Sequence, residues 1–246
     1  IMKFKIKIPG LAISCFVLFI SQVALCQVKL PLLVSDGMVL QRDANVKIWG
    51  WADKGEKVII NFDGKTYNAA AGTDGKWAVM LPELKAGGGP YSMDINASNH
   101  ITLTNILVGD VWVCSGQSNM ELPMNRVKYR YPDVIANAEN PNIRQFVVPH
   151  IYNFKESKDD FKSGSWVSAN PKSVLEFTAV GYFFAKELYE KYHVPIGLIN
   201  AGLGGSPAQA WLSEDALKAF PEYLQTAEKP RKFLRGARGK CLLDKF

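Results

Sequence analysis

The chain has 246 residues, 48% hydrophobic and 21% charged, an ordinary globular composition with room for one large domain or two small ones. Glycine and proline are spread along it and no internal repeat occurs, which excludes low-complexity and repeat classes. The formal charge of +6 sits at the two ends: Lys3, Lys5 and Lys7 without an acid in 1–26, and a run of lysines and arginines against Asp244 alone in 229–246. Residues 27–228 carry a small acid excess, so no nucleic-acid partner is expected, because that requires a basic face on the folded body.

Residues 1–26 read as an export signal. Three alternating lysines precede an apolar core, Leu11 to Ile20, and Ala24-Leu25-Cys26 offers small residues for a cut before Gln27. The apolar stretch is broken by Ser21 and Gln22, short of the roughly 20 residues a membrane span needs, so no stable membrane insertion is expected after cleavage. Cys15 and Cys26 leave with the signal. Cys114 and Cys241 remain, with neither a disulfide framework nor metal-ligand spacing, and Cys114 reads as a small core hydrophobe.

From Gln27 to about Asn105 the pattern is of short strands: 46–51, 57–62, 66–70, 76–81, 91–97 and 100–106 are β-branched or aromatic runs. Asp63-Gly64 and Asp74-Gly75 between such runs are strong hairpin signals. The spacing predicts an antiparallel β-sandwich-like domain over 27–105. Trp49, Trp51 and Trp77 serve either its core or an exposed sugar-binding face, with the core the simpler reading.

After Ile106 the grammar changes. Residues 106–114, ILVGDVWVC, are nearly continuously apolar, as in a strand buried on both faces. Val180, Phe184, Leu188 and Tyr192 recur every four residues in 178–193 opposite Lys186, Glu187, Glu190 and Lys191, which predicts an amphipathic helix closed by His193. A short buried strand at 196–200 follows, then Gly202-Leu203-Gly204-Gly205-Ser206, and a helix from Pro207 through AQAWLSEDALKAF. Strand, helix, strand, glycine loop and helix is the order of a parallel α/β sheet over 106–228.

Two glycine–serine loops then leave the carboxyl ends of strands in one sheet, at the rim where ligands bind. Ser115-Gly116-Gln117-Ser118-Asn119 is the first and 202–206 the second. Acyl transfer needs an oxygen nucleophile beside preset amide donors, and Ser118 facing Gly204 and Gly205 supplies that pattern. Two turns with structural glycines are the alternative, and spacing alone does not choose between them.

The stretch GDVWVCSGQSNMELPM (109–124) resembles the signature of the sialate O-acetylesterase family, within the SGNH (GDSL-like) hydrolases. So do 166–188, VPIGLINAGLGGSPAQAWL (194–212) and LPLLVSDGMVLQR (30–42). The resemblance implies an α/β protein: an N-terminal antiparallel β-sandwich-like domain followed by a partial SGNH-type three-layer α/β/α domain. It implies a carbohydrate esterase that removes O-acetyl groups from an acetylated glycan. Ser118 maps onto the nucleophile, and the oxyanion hole onto Ser118 and Gly205, with Gly204 beside it as the alternative. Gln117 and Asn119 line the same loop as substrate-binding residues, and neither a metal nor an organic cofactor is implied.

The family completes its site with a later Q-G-E-x-N segment and a late D-x-x-H, and neither occurs in this sequence. The only histidines are His100, His150 and His193. His150 either borders the crevice or is an ordinary loop histidine, the simpler reading. A serine without a base is a weak nucleophile, so the chain reads as the front portion of an esterase, with a basic tail at 229–246 of separate status. A sheet without its later strands exposes an edge and an apolar face, and poor solubility is expected. Two rivals stand beside the esterase: a non-catalytic glycan-binding protein with an inactive hydrolase shell, and an interaction module driven by the tail.

Overall fold

Alternation of apolar and polar residues builds the first half. The computed structural model of the chain describes residues 27–87, 89–151 and 158–225. The expected export signal, the basic tail, Cys15, Cys26 and Cys241 lie outside the described residues. After the short β1 (Val39–Gln41) come β2 (Val46–Trp51), β3 (Lys57–Phe62), β4 (Lys65–Ala70), β5 (Lys76–Leu81) and β6 (Tyr91–Asn96). In β3 and β5 every second residue is buried: Val58, Ile60 and Phe62 in one, Trp77, Val79 and Leu81 in the other. β3 pairs antiparallel with β4 and β6, β2 pairs antiparallel with β5, and the inward residues of both sets share one core. Trp77 is buried within that core, and Trp49 packs partly buried against it. Asp63 (φ 49°) and Gly64 (φ 69°) form the two-residue turn between β3 and β4. Both left-handed angles are those a tight hairpin of matching twist requires.

β7 (His100–Cys114) runs without a break through the composition change at residues 105–106. Its first half pairs antiparallel with β6, its middle with β1, and its last five residues parallel with a later strand. The two stretches expected as separate elements, 100–106 and 106–114, are therefore one. A bulge marks the join: Tyr91 sits opposite Ile106 but Met93 opposite Leu103, and Asn105 has φ 57°. Asparagine tolerates that left-handed angle better than most side chains, and the bulge re-aims the strand.

After β7 come the one-turn α1 (Ser118–Glu121), α2 (Pro132–Ala136), β8 (Asn140–Val147), β9 (Trp166–Ala169), α3 (Ala179–Tyr192), β10 (Ile196–Asn200) and the one-turn α4 (Glu214–Leu217). β10 lies parallel between β7 and β8, and β9 pairs antiparallel with β8. The result is a mixed α/β protein dominated by one eight-stranded sheet. α3 packs on one face of its parallel part through Ala179, Tyr182 and Ala185, against Cys114, Ile143 and Leu198. The other face is covered by Leu32, Leu33, Phe161 and Trp166 from non-helical segments and β9, so among the described residues only one face of this part carries a helix of more than two turns. No helix among the described residues is long and apolar enough to cross a membrane.

Arg144 of β8 sits under the join, 3% exposed and without a carboxylate partner among the described residues. It donates to the carbonyls of Gly37, Asn105 and Pro141 and to Asn105 Oδ1. Burial pulls the guanidinium below its ordinary pKa, and these four acceptors offset the desolvation.

Three sequence expectations fail in detail. α3 does not bury its four-residue stripe: Val180 is 48% exposed and Phe184 39%. It turns its small residues to the sheet instead. A Cβ on Gly181 would lie 2.5 Å from Thr178 Cγ2 and 3.2 Å from Cys114 Sγ, so the close approach depends on glycine. β7 is not buried on both faces to its end, since Trp112 and Val113 are 46% and 47% exposed. The helix expected from Pro207 splits into a 3₁₀ turn at Ala208–Trp211 and α4. Leu212 is extended there and Ser213 Oγ accepts from Ala216 N, so a second N-cap interrupts the run.

Candidate active site

β7 ends at Cys114, whose thiol burial pushes up to about 11, so it is neutral near pH 7 and packs as an apolar group. Gly116 then takes φ +133° and turns the chain outward. Gln117 caps α1: its main-chain carbonyl accepts from Met120 and Glu121, and its side chain bends back over Ser118. Ser118 N (3.2 Å) and Ser118 Oγ (2.8 Å) both donate to Gln117 Oε1. Gln117, Ser118 and Asn119 are all exposed. The serine therefore opens α1 at the carboxyl end of a parallel strand, facing solvent, with its hydroxyl oriented by the residue before it.

Thr178 anchors this turn from below. Fully buried, it caps α3 while its hydroxyl donates to Met120 O. Gln145, also buried, accepts from Thr178 N at 2.9 Å and donates to Glu176 O at 3.1 Å. Ala179 N donates to Leu122 O and Met124 N to Phe177 O. The turn that carries Ser118 is thus tied to the amino end of α3 and, through Gln145, to β8.

The glycine loop leaves β10 beside it. Ala201 N donates to Cys114 O and Leu203 N to Gly116 O, each at 2.8–2.9 Å, so the two loops are stitched backbone to backbone. A Cβ on Gly202 would come within 2.9 Å of Glu121 N, and one on Gly204 would lie 3.8 Å from Ser118 Cα. The structure brings Ser118 and Gly204 together at one rim of the sheet. Gly204 N donates to Glu121 Oε2 at 2.6 Å, and Gly204 would put a Cβ 2.4 Å from that same oxygen. Gly205 follows at φ +76°, and its N–H has no hydrogen-bond partner among the described residues. Further along, Ser206 Oγ donates to Leu203 O and accepts from Trp211 Nε1.

Three residues of this site escape sequence reasoning: Glu121, Thr178 and the placement of His150. His150 Nε2 lies 2.7 Å from Gly202 O, which fixes it as the donor there, and Nδ1 lies 3.8 Å from Glu121 Oε1. The histidine lies against the glycine loop, on the side of the reading weighed second from sequence. Glu121 had a signal, its position three residues after Ser118, which puts both on one side of a helical turn. Among the described residues no imidazole hydrogen-bonds to Ser118 Oγ, and no three His, Cys, Asp or Glu side chains converge as metal ligands.

Comparison with known proteins bears on this rim directly. Residues 108–239 match the family model "Carbohydrate esterase, sialic acid-specific acetylesterase", a span that begins inside β7 and takes in both loops. Sialate O-acetylesterase of Rattus norvegicus is 30% identical over 206 residues, 76% of this chain and 38% of that protein. The Homo sapiens sialate O-acetylesterase is 30% identical over 204 residues, 76% of this chain and 39% of its own length. Among solved structures, a carbohydrate acetylesterase from Xanthomonas citri superposes with a TM-score of 0.74 at 39% identity, covering 79% of this chain and 44% of that one. The chain thus spans less than half the length of each relative. Since the family model takes in more than half of its 246 residues, the protein belongs to the carbohydrate esterase family of sialic acid-specific acetylesterases.

Proposed function

We propose that the chain is the front portion of an exported carbohydrate esterase that removes O-acetyl groups from an acetylated glycan, with Ser118 as nucleophile. The layout is a sandwich-like domain over 27–105 leading into a partial SGNH-type hydrolase domain. The observation that carries this reading is the exposed Ser118 on its capped turn, with Gly204 packed against its Cα. Ser118 Oγ attacks the acetyl carbonyl carbon. Negative charge gathers on the carbonyl oxygen, and its donors are the N–H groups of Gly205 and of Ser118, the latter once substrate displaces Gln117 Oε1, which Ser118 N meets at 3.2 Å. Gly205 is preferred over Gly204 because the Gly204 amide is already given to Glu121. Gln117 and Asn119 line the approach for the sugar.

The hydroxyl's proton needs a base. The sequence contains no Asp-x-x-His, and Ser118 Oγ donates to an amide oxygen, which cannot keep the proton. The reading places the base and its partner in the part of such an esterase that these residues do not cover. Lack of a triad member lowers the rate by about 10⁴-fold or more, but leaves the oxyanion donors in place.

The test is covalent labelling. A fluorophosphonate should form one adduct on the chain, with loss of fluoride, mapped to Ser118 by peptide mass spectrometry and absent from Ser118→Ala. An adduct at another serine, or one that persists in Ser118→Ala, overturns the nucleophile assignment.

A further inference from the structure

Glu121 sits on the same turn as Ser118 yet points its carboxylate into the glycine loop. One oxygen accepts from Gly204 N at 2.6 Å, a charge-assisted bond. The other faces His150 Nδ1 at 3.8 Å, while His150 Nε2 donates to Gly202 O at 2.7 Å. The loop is therefore held at two points, its Gly204 amide by a carboxylate and its Gly202 carbonyl by an imidazole. A Cβ at Gly202 would meet the Glu121 backbone at 2.9 Å, and one at Gly204 would displace the Glu121 carboxylate from its bond. The bonds Leu203 N to Gly116 O and Ala201 N to Cys114 O fix the root of the loop. Beyond Leu203, the contacts made by Glu121 are what join the loop to the serine turn.

We infer that Glu121, with His150 holding the same loop through Gly202 O, is a positioning residue that sets the spacing between Ser118 and the Gly205 amide. The inference rests on the esterase reading of the site. The carboxylate takes up Gly204 N–H, which leaves the next amide, on the left-handed Gly205, as the loop's unpartnered donor. One acid thereby decides which of two adjacent glycines faces the reacting carbonyl. It also places a negative charge beside the oxyanion position, and donation from Gly204 N keeps that charge turned into the loop rather than toward the carbonyl.

The experiment uses the whole chain labelled with ¹⁵N at glycine and serine, so that Gly204, Gly205 and Ser118 amides are read individually. In the native chain Gly204 N–H should resonate downfield, as a short bond to a carboxylate requires. In Glu121→Ala that shift should vanish, and the Gly205 and Ser118 amides should move with it. Glu121→Gln, which keeps an acceptor without the charge, should restore part of the pattern. Because Glu121→Ala can fail to fold, His150→Ala is the second variant, expected to shift the Gly202, Gly204 and Gly205 amides while the Gly181 amide, capped by Thr178, stays in place. The same panel is labelled with the fluorophosphonate, where Glu121→Ala should react about a hundredfold more slowly, the cost of misplacing a donor by about 1 Å. An unmoved Gly205 amide in folded Glu121→Ala, or unchanged labelling, overturns the positioning role. A native chain that takes no label defeats the esterase reading alone, since the amide shifts still decide the role of Glu121.

Discussion

Between His100 and Ile106, β7 pairs with β6 and turns Leu103 and Ile106 into a core shared with β2, β3 and β5. Its far edge there is also occupied: Gly37 N donates to Thr104 O, and Asp36 accepts from Thr104 N. Between Asp110 and Cys114 the same strand pairs with β10 alone. Gln41 Oε1 covers Val111 N on the opposite side, and beyond it Val113 meets no strand among the described residues. One end of the strand is closed on both edges and the other on one, and the reactive loop hangs from the second. A nucleophile at the end of a strand must be exposed, whereas a strand holding two layers together must not be. One continuous element serves both needs because the bulge at Asn105 turns it from one environment into the other.

The sharpest way to break this comparison is to remove the residue that fastens the bulge. Arg144→Ala removes the donor to the buried Gly37 carbonyl and to the part-buried carbonyl bonds at Asn105 and Pro141. It should cost about 3 kcal/mol or more, read as a lowered urea midpoint. Arg144→Lys should recover little, because a single ammonium cannot reach four acceptors spread around a planar fork. A midpoint within error of the native value would mean that the two halves of β7 do not depend on this seam.

Thr178 tests the reactive end alone. Thr178→Val keeps the shape but removes the hydroxyl that donates to Met120 O and caps Gly181 N. It should cost about 1–2 kcal/mol. It should also slow phosphonylation of Ser118 more than a loss of that size would by unfolding alone. If stability falls while the labelling rate per folded molecule holds, Thr178 supports the helix and not the nucleophile turn.

How much of this was legible in sequence follows the range of the interactions involved. The Asp63-Gly64 hairpin is local, and its two left-handed residues are written in its residue types. The serine turn was legible because Gly116, Gln117 and Ser118 act within five positions of one another. The continuity of β7 was not, because Asn105 looks like a strand terminator until Arg144, 39 positions away, takes both its carbonyl and its side chain. The orientation of α3 was misread because periodicity of large apolar residues predicts the buried side. A helix that must lie close to Cys114 and Leu198 presents Gly181 and Ala185 instead. Glu121 and His150 are joined to Gly204 and Gly202 over 83 and 52 positions, and no local pattern announces such a contact.

The smallest energetic effect is expected at the open edge. Val113 is about half exposed at the open end of β7, on the side where an added strand would dock. An unpaired edge beside exposed apolar groups is a template for association. Trp112 and Phe184, stacked edge to face at 5.0 Å on the helix side of the sheet, extend the apolar surface around the strand end. Val113→Lys puts a charge where an incoming strand would lie and disturbs no buried contact. It should change folding stability by no more than about 0.5 kcal/mol. In sedimentation velocity the native chain should shift to larger species as concentration rises, and the variant should do so less. A native chain that stays monomeric over the same range would show that the half-paired end of β7 is already protected, and the contrast between its two ends would then lie in chemistry alone.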